Sequence, residues 1–207
     1  MSVNLTRFSD YRSVIATVIL FTLVNTHYFW EGKLGFFSLP IMLILVIIFI
    51  ALIAKCLSHL LNAYKERFKN KDRLYTIVLM GILLTLIAIK PNGLISLNTL
   101  YGEDVLIAGN KREANCTTTL QLKSKGHFRY RDVCFGISDF TGTYVLRNDS
   151  LFFFNISPPF FHDDSFYKFA ILEPFPTPRR VEILMLFKSK NDEHGYPLKV
   201  FKNELIK

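Results

Sequence analysis

Three long apolar runs fill residues 1–92, and the pattern changes character after them. Val14 to Val24 is apolar apart from Thr17 and Thr22; Asn25, Thr26 and His27 then lead into Tyr28, Phe29 and Trp30, an aromatic trio of the kind that sits at a membrane–water boundary. Leu34 to Ala54 carries no charge over about twenty residues, the length needed to cross a bilayer. Leu74 to Ile89 is shorter and would cross with little tilt or with local thinning. A signal peptide is the other reading of the first run, but no small-residue cleavage site follows it and the second run begins almost at once.

Beyond Pro91-Asn92-Gly93, short β-branched and aromatic stretches alternate with turn clusters. Eight strands are expected: Asp104–Ala108, Cys116–Lys123, His127–Cys134, Thr143–Arg147, Ser150–Ile156, Phe166–Glu173, Val181–Lys188 and Pro197–Lys202. Short links favour an antiparallel meander. The expected fold class is therefore membrane α plus all-β. Three transmembrane helices (1–92) precede a small antiparallel barrel or curled sheet of about eight strands (93–207).

One hairpin has a register that can be worked out from the letters. With Ser124-Lys125-Gly126 as a three-residue turn, Lys123 faces His127. One face then carries Cys116, Thr118, Leu120 and Leu122 opposite Cys134, Asp132, Tyr130 and Phe128, and is largely apolar. The other carries Thr117, Thr119, Gln121 and Lys123 opposite Val133, Arg131, Arg129 and His127, and is largely polar. A slip by one residue would mix the two faces. The same register sets Cys116 opposite Cys134, within reach of a disulfide in an oxidising compartment; in the cytosol the pair would be buried thiols. A second hairpin centres on Asn148-Asp149 and opposes Leu146 to Leu151 and Tyr144 to Phe153. The strand Leu151-Phe152-Phe153-Phe154 is apolar on both faces, as is Val181 to Phe187, so part of this domain is expected to pack on something besides its own interior.

Composition sharpens this picture. The 207 residues are 50% hydrophobic and 20% charged, with 20 Phe and three Cys, which excludes disordered and disulfide-dense classes. Of the formal net charge of +8, residues 1–91 hold +6 and residues 92–207 hold +2. The basic surplus thus belongs to the apolar half, where it marks cytoplasmic loops rather than a nucleic-acid surface. Arg7, Arg12 and the six basic residues between Lys55 and Arg73 outnumber Lys33, Lys90, Lys111 and Arg112. The expected topology is multi-pass in the inner (cytoplasmic) membrane, N-terminus inside and β domain outside. The Lys55–Arg73 segment reads as a solvated extension, or as a site for anionic lipid or a partner.

The runs Asn115-Cys116-Thr117-Thr118-Thr119-Leu120, Val133-Cys134-Phe135-Gly136, Gly142-Thr143-Tyr144, Asn148-Asp149-Ser150-Leu151 and Phe201-Lys202-Asn203-Glu204-Leu205 resemble an uncharacterised family of small bacterial membrane proteins with a C-terminal lipocalin-like β domain. The resemblance covers residues 93–207 and implies no activity or binding residues. In architecture alone, spans followed by a small barrel also look like the membrane effectors of bacterial anti-phage systems. There a cytosolic barrel senses a cyclic nucleotide and the spans oligomerise to damage the membrane.

Candidate chemistry is sparse. No phosphate loop, Cys-x-x-Cys pair, zinc-protease motif or nucleophile elbow occurs. His162, Asp163 and Asp164, and Asp192, Glu193 and His194, read as loop residues; a hydrolase using the first group is the sharper alternative. No catalytic residue, metal or cofactor is expected. Asp132, aimed inward opposite Thr118, is a buried paired carboxylate or a ligand contact. Tyr130 with Arg129 and Arg131 would suit a nucleotide surface, but the register turns the two arginines away from the ring, towards a solvated face or an acidic partner. Phe160 and Phe161, in the link from Ser157 to Ser165, either cover the barrel mouth or meet a ligand, membrane or partner. The expected function is that of a non-enzymatic envelope protein whose β domain binds a protein or small apolar ligand. Its partners are the lipid bilayer and a protein or a second copy, with no nucleic-acid polymer. The alternative is the nucleotide-sensing effector.

Overall fold

The computed structural model describes residues 3–111, 116–148, 150–160, 166–174, 182–192 and 194–205. The chain divides into two compact units, one formed by Met1–Tyr28 with Pro40–Ile95 and the other by Phe29–Leu39 with Ser96–Lys207.

The first unit is helical. Its elements are α1 (Val3–Asn25), the short α2 (His27–Trp30), α3 (Ser38–Lys65) and α4 (Lys71–Ile89). Two of these, α3 and α4, are long and apolar enough to cross a membrane. The first apolar run is instead a pair of segments bent by 60°, which would be a third span only if taken as one. The break follows Asn25, whose side chain turns back to donate to the Phe21 carbonyl at 2.8 Å and accepts the Leu94 N–H at 2.7 Å. Pro40 lies in the first turn of α3, where its missing N–H costs no helical bond. Asn70 caps α4 by accepting the Arg73 N–H, and Asp72 suits the positive end of the helix dipole. Leu20, Leu52, Met80, Leu84 and Ile87 pack together as the core of this unit. Only 6% of the most apolar 18-residue window of α3 is buried, so that stretch presents most of its hydrocarbon side chains outward.

The second unit is a closed antiparallel barrel. Its strands are β1 (Asp104–Lys111), β2 (Thr117–Lys123), β3 (His127–Val133), β4 (Ile137–Arg147), β5 (Ser150–Ser157), β6 (Phe169–Pro174), β7 (Glu182–Phe187) and β8 (Tyr196–Asn203). Each pairs with its neighbour in sequence, and β8 pairs with β1 to close the ring. A short helix, α5 (Leu97–Tyr101), precedes β1 and is capped by Ser96.

The β2–β3 ladder runs from Thr117 opposite Val133 to Leu122 opposite Phe128, the register read from the alternation. Its turn is set by Gly126 at φ +78°, a left-handed position that glycine takes without strain. The β4–β5 ladder likewise opposes Tyr144 to Phe153 and Leu146 to Leu151. It slips at Gly142, where a Cβ would meet the Phe154 carbonyl oxygen at 2.6 Å; such bulges help a strand curl around a barrel. β4 begins at Ile137, six residues before the expected start at Thr143. Ser138 and Asp139 are polar on a segment that looked like a loop, yet Phe140 points inward and Asp139 is covered from outside.

Eight strands enclose a space that side chains can fill. Leu106, Leu120, Leu122, Leu151, Leu184, Leu186 and Leu198 line it with at most 2% exposure. Phe166 packs into this core beside β3, β4 and β5. Its ring stacks on Phe128 and Phe140, with centroids at 5.4 and 4.9 Å, and meets Tyr130 and Phe153 edge-on at 5.3 and 5.7 Å. That geometry suits the quadrupoles of the rings.

Candidate functional site

The feature with the most chemistry lies on the outer wall of β3 and β4, where the short linker Phe29–Leu39 is part of the barrel unit. A 3-10 turn, Glu31–Lys33, delivers Glu31 to this wall. Arg131 of β3 pairs with the Glu31 carboxylate and lies 3.2 Å from Asp139 Oδ1 through Nε. Arg129 pairs with the same Asp139, its Nε donating to Oδ2 at 3.0 Å. Two arginines and two carboxylates thus form one balanced string. Side-chain exposure is 8% at Arg129, 6% at Asp139 and 11% at Glu31.

The arginines were expected on a solvated or partner-binding basic face. The register does aim them outward, but the linker covers them and their charge is met within the chain. Lys123, on the same face, is also buried: its Nζ lies 2.8 Å from Asp104 Oδ1 and donates to Asn98 Oδ1 at 2.8 Å. An exposed basic ladder is therefore absent among these described residues. Alternation tells which way a side chain points, not what lies over it.

The linker is fixed by its backbone as well. Gly35 bridges Ile137, whose N–H donates to the Gly35 carbonyl at 3.2 Å and to Ser38 Oγ at 3.0 Å. Phe160 N–H donates to the Lys33 carbonyl at 2.9 Å, and Lys33 Nζ stands 5.8 Å from the centre of the Phe160 ring. At Gly136 a Cβ would lie 2.6 Å from the Gly35 carbonyl oxygen and 2.7 Å from Phe36 Cα. Both are backbone atoms and cannot swing away. Gly136→Ala is expected to cost about 1–3 kcal/mol, the range for an overpacked contact. Limited proteolysis of the folded protein is the check: cleavage within residues 31–37 should speed up, and an unchanged rate would mean the linker is held elsewhere.

The remaining expected site residues are spread over the barrel. Tyr130 lies inside at 7% exposure. Burial, with Tyr167, Asp132 and Tyr196 nearby, pushes its phenol well above the ordinary tyrosine value, so it is a neutral packed ring at physiological pH rather than an acid–base group. Asp132 is half-buried and accepts from the Thr118 hydroxyl at 3.2 Å. Phe160 is 68% exposed. Phe161, His162, Asp163, Asp164 and Glu193 lie outside the described residues. His194 is exposed, and Asp192 accepts the Lys188 N–H at 3.2 Å. Cys116 and Cys134 are joined as a disulfide across the open end of the β2–β3 hairpin, with Cα atoms 4.6 Å apart. Among the described residues no group of three His, Cys, Asp or Glu side chains is placed to hold a metal ion.

Residue-by-residue reading missed Glu31, Gly32, Asp139 and Phe135. A signal existed for the first three: a lone acid beside glycine between two apolar runs, and the alternation Ile137-Ser138-Asp139-Phe140. A Cβ on Gly32 would fall 2.1 Å from the Asp139 carboxyl carbon, which explains why glycine follows the acid. No family model, curated protein or solved structure matches this chain, and its site is read from its own geometry.

Proposed function

We propose that this chain is a non-enzymatic, multi-pass protein of the inner (cytoplasmic) membrane whose barrel stands outside the cytoplasm and binds a protein partner through its outer surface. The observation that carries the reading is the linker. Phe29–Leu39 and the barrel belong to one compact unit, and α3 and α4 are the two apolar helices between them in the chain. If both helices cross, linker and barrel emerge on one side and the basic Lys55–Arg73 segment on the other. The positive-inside rule assigns that segment to the cytoplasm. The Cys116–Cys134 disulfide supports the same side, since such bonds persist in oxidising compartments.

Occupancy of the barrel favours a protein over a small apolar ligand. Phe166 is buried in the barrel core among Phe128, Tyr130, Phe140 and Phe153, in the interior that a lipocalin-type ligand would use, whereas Phe154 and Phe201 on the outside are 47% and 65% exposed. The resemblance to small bacterial membrane proteins with a lipocalin-like domain is part of this reading.

Paired reporter fusions after Lys207, one active only in the cytoplasm and one only outside it, test the topology. Activity of the external reporter is expected, together with Cys116 and Cys134 that react with a thiol label only after reduction. A cytoplasmic signal with freely labelled thiols would overturn the reading in favour of the nucleotide-sensing effector.

A further inference from the structure

We infer that Phe36, Phe37, Phe135 and Phe160 form one aromatic rim that seats the barrel in the interfacial layer of the lipid bilayer, beside the point where α3 enters it. The inference rests on the membrane-spanning reading of α3 given above.

Three separate segments contribute to the rim, and the linker gathers them. Phe36 and Phe37 are 69% and 51% exposed, with ring centroids 6.2 Å apart. Phe135 is the middle residue of the three-residue β3–β4 link and is 74% exposed. The close approach of Gly136 to Gly35 and Phe36 brings that link against the linker backbone. Phe160 is bonded to the linker through Lys33. All four belong to the barrel unit.

Backbone geometry at Phe135 points the same way. Its φ is +53°, a left-handed conformation that is unusual for any residue with a Cβ and more so for a bulky one. Glycine stands next to it at 136, yet the strained position carries a phenylalanine. A large apolar ring held outward at a strained turn tip gains little burial from its own fold, which fits a use outside the chain.

The occupant follows from what the rim is attached to. Phe37 is followed directly by α3, whose Leu39 to Ala54 stretch bears no charge. Residues just ahead of such a span lie at headgroup depth, where aromatic rings are favoured. Lys33, beside Phe160, adds a cation on a flexible stem that can reach lipid phosphates while its methylenes stay with the rings. A protein partner would not need its contact surface to end where a hydrocarbon span begins.

The test uses the full chain in vesicles of phosphatidylcholine and phosphatidylglycerol. Trp30 is first replaced by phenylalanine to remove the native signal. Single tryptophans are then introduced as Phe135→Trp, Phe160→Trp, Ile47→Trp in α3 and Phe201→Trp on β8; Ile47 is exposed and lies about 15 Å along the helix from Phe37, near the bilayer midplane. Lipids brominated near the headgroup or near the chain ends report the depth of each probe. Shallow bromines should quench, and the bilayer should blue-shift, the probes at 135 and 160. The probe at 47 should be quenched by the deep bromines, and the probe at 201 by neither. If position 47 is quenched while 135 and 160 behave like 201, the rim does not touch lipid although α3 spans. If position 47 also escapes quenching, the membrane reading fails with it. A 135 variant that does not fold leaves the 160 probe to decide.

Discussion

Asp139→Ala is expected to lower the stability of the barrel unit by about 3–5 kcal/mol, the cost of breaking a buried ion pair from one side. The substitution takes from Arg129, at 8% side-chain exposure, the carboxylate with which its guanidinium pairs. Arg131 loses its second carboxylate and keeps only Glu31. The penalty comes mainly from the charge left behind, not from the bond removed. A paired replacement makes the distinction: with Arg129→Met and Asp139→Leu together, much of the loss should be recovered, because apolar side chains of similar volume often replace a buried pair without net cost. Denaturant unfolding in detergent, followed by tyrosine near-ultraviolet dichroism, gives both numbers. A loss below about 1 kcal/mol for the single change would put the pair among exposed ones and remove the linker from the account of stability.

Phe166→Ala should be about as damaging, by about 3–5 kcal/mol, for a different reason. Phe166 touches Phe128, Tyr130, Phe140, Phe153 and Tyr167, so its removal forfeits contacts with five rings at once. A closed ring of strands cannot easily collapse into the gap, which favours the upper part of that range. The gap would be apolar and dry and should take up a small aromatic guest. Benzene is therefore expected to raise the melting temperature of the variant and leave that of the parent unchanged. No rescue, with a loss near that of a surface substitution, would mean that Phe166 does not pack inside the barrel.

Legibility of the fold followed the range of the contacts. The β2–β3 and β4–β5 ladders were readable because a turn fixes the offset and a period of two fixes the face. Strand β4 was read short because Ser138, Asp139 and Gly142 break the apolar alternation; their partners are Arg129, the linker and a bulge, all distant in sequence or unsignalled by it. The first apolar run read as one span, yet the helix breaks at Asn25, where the side chain serves a backbone N–H at Leu94.

The candidate site was legible only in part. Arg129 and Arg131 read as residues of a solvated or partner-binding face and Phe160 as a cover for the barrel mouth or a contact, yet Arg131 pairs with Glu31 and the Phe160 N–H bonds Lys33, so both hold a segment that reads as a mere link between spans. Phe135 drew no attention as a residue, because nothing in Val133-Cys134-Phe135-Gly136 tells which residue of a turn takes the left-handed position. Tyr130 was placed on the inward face by the alternation, and the inward face is where it lies.

The pairing of Glu31 with Arg131 spans a hundred positions of chain. During synthesis Glu31 is made first, and its partner follows only after two further apolar helices have left the ribosome. At about 5–20 residues per second, the carboxylate waits on the order of 5–20 seconds. Throughout that interval the linker lacks its ion pair to β3, and on the proposed membrane topology the helices would still be free to adjust their insertion. Completion of β3 and β4 supplies the partners Arg131 and Asp139. On that topology the barrel would act on its own anchor as a late latch, and a chain interrupted before Asp139 would carry an unlatched, protease-sensitive linker for quality control to find.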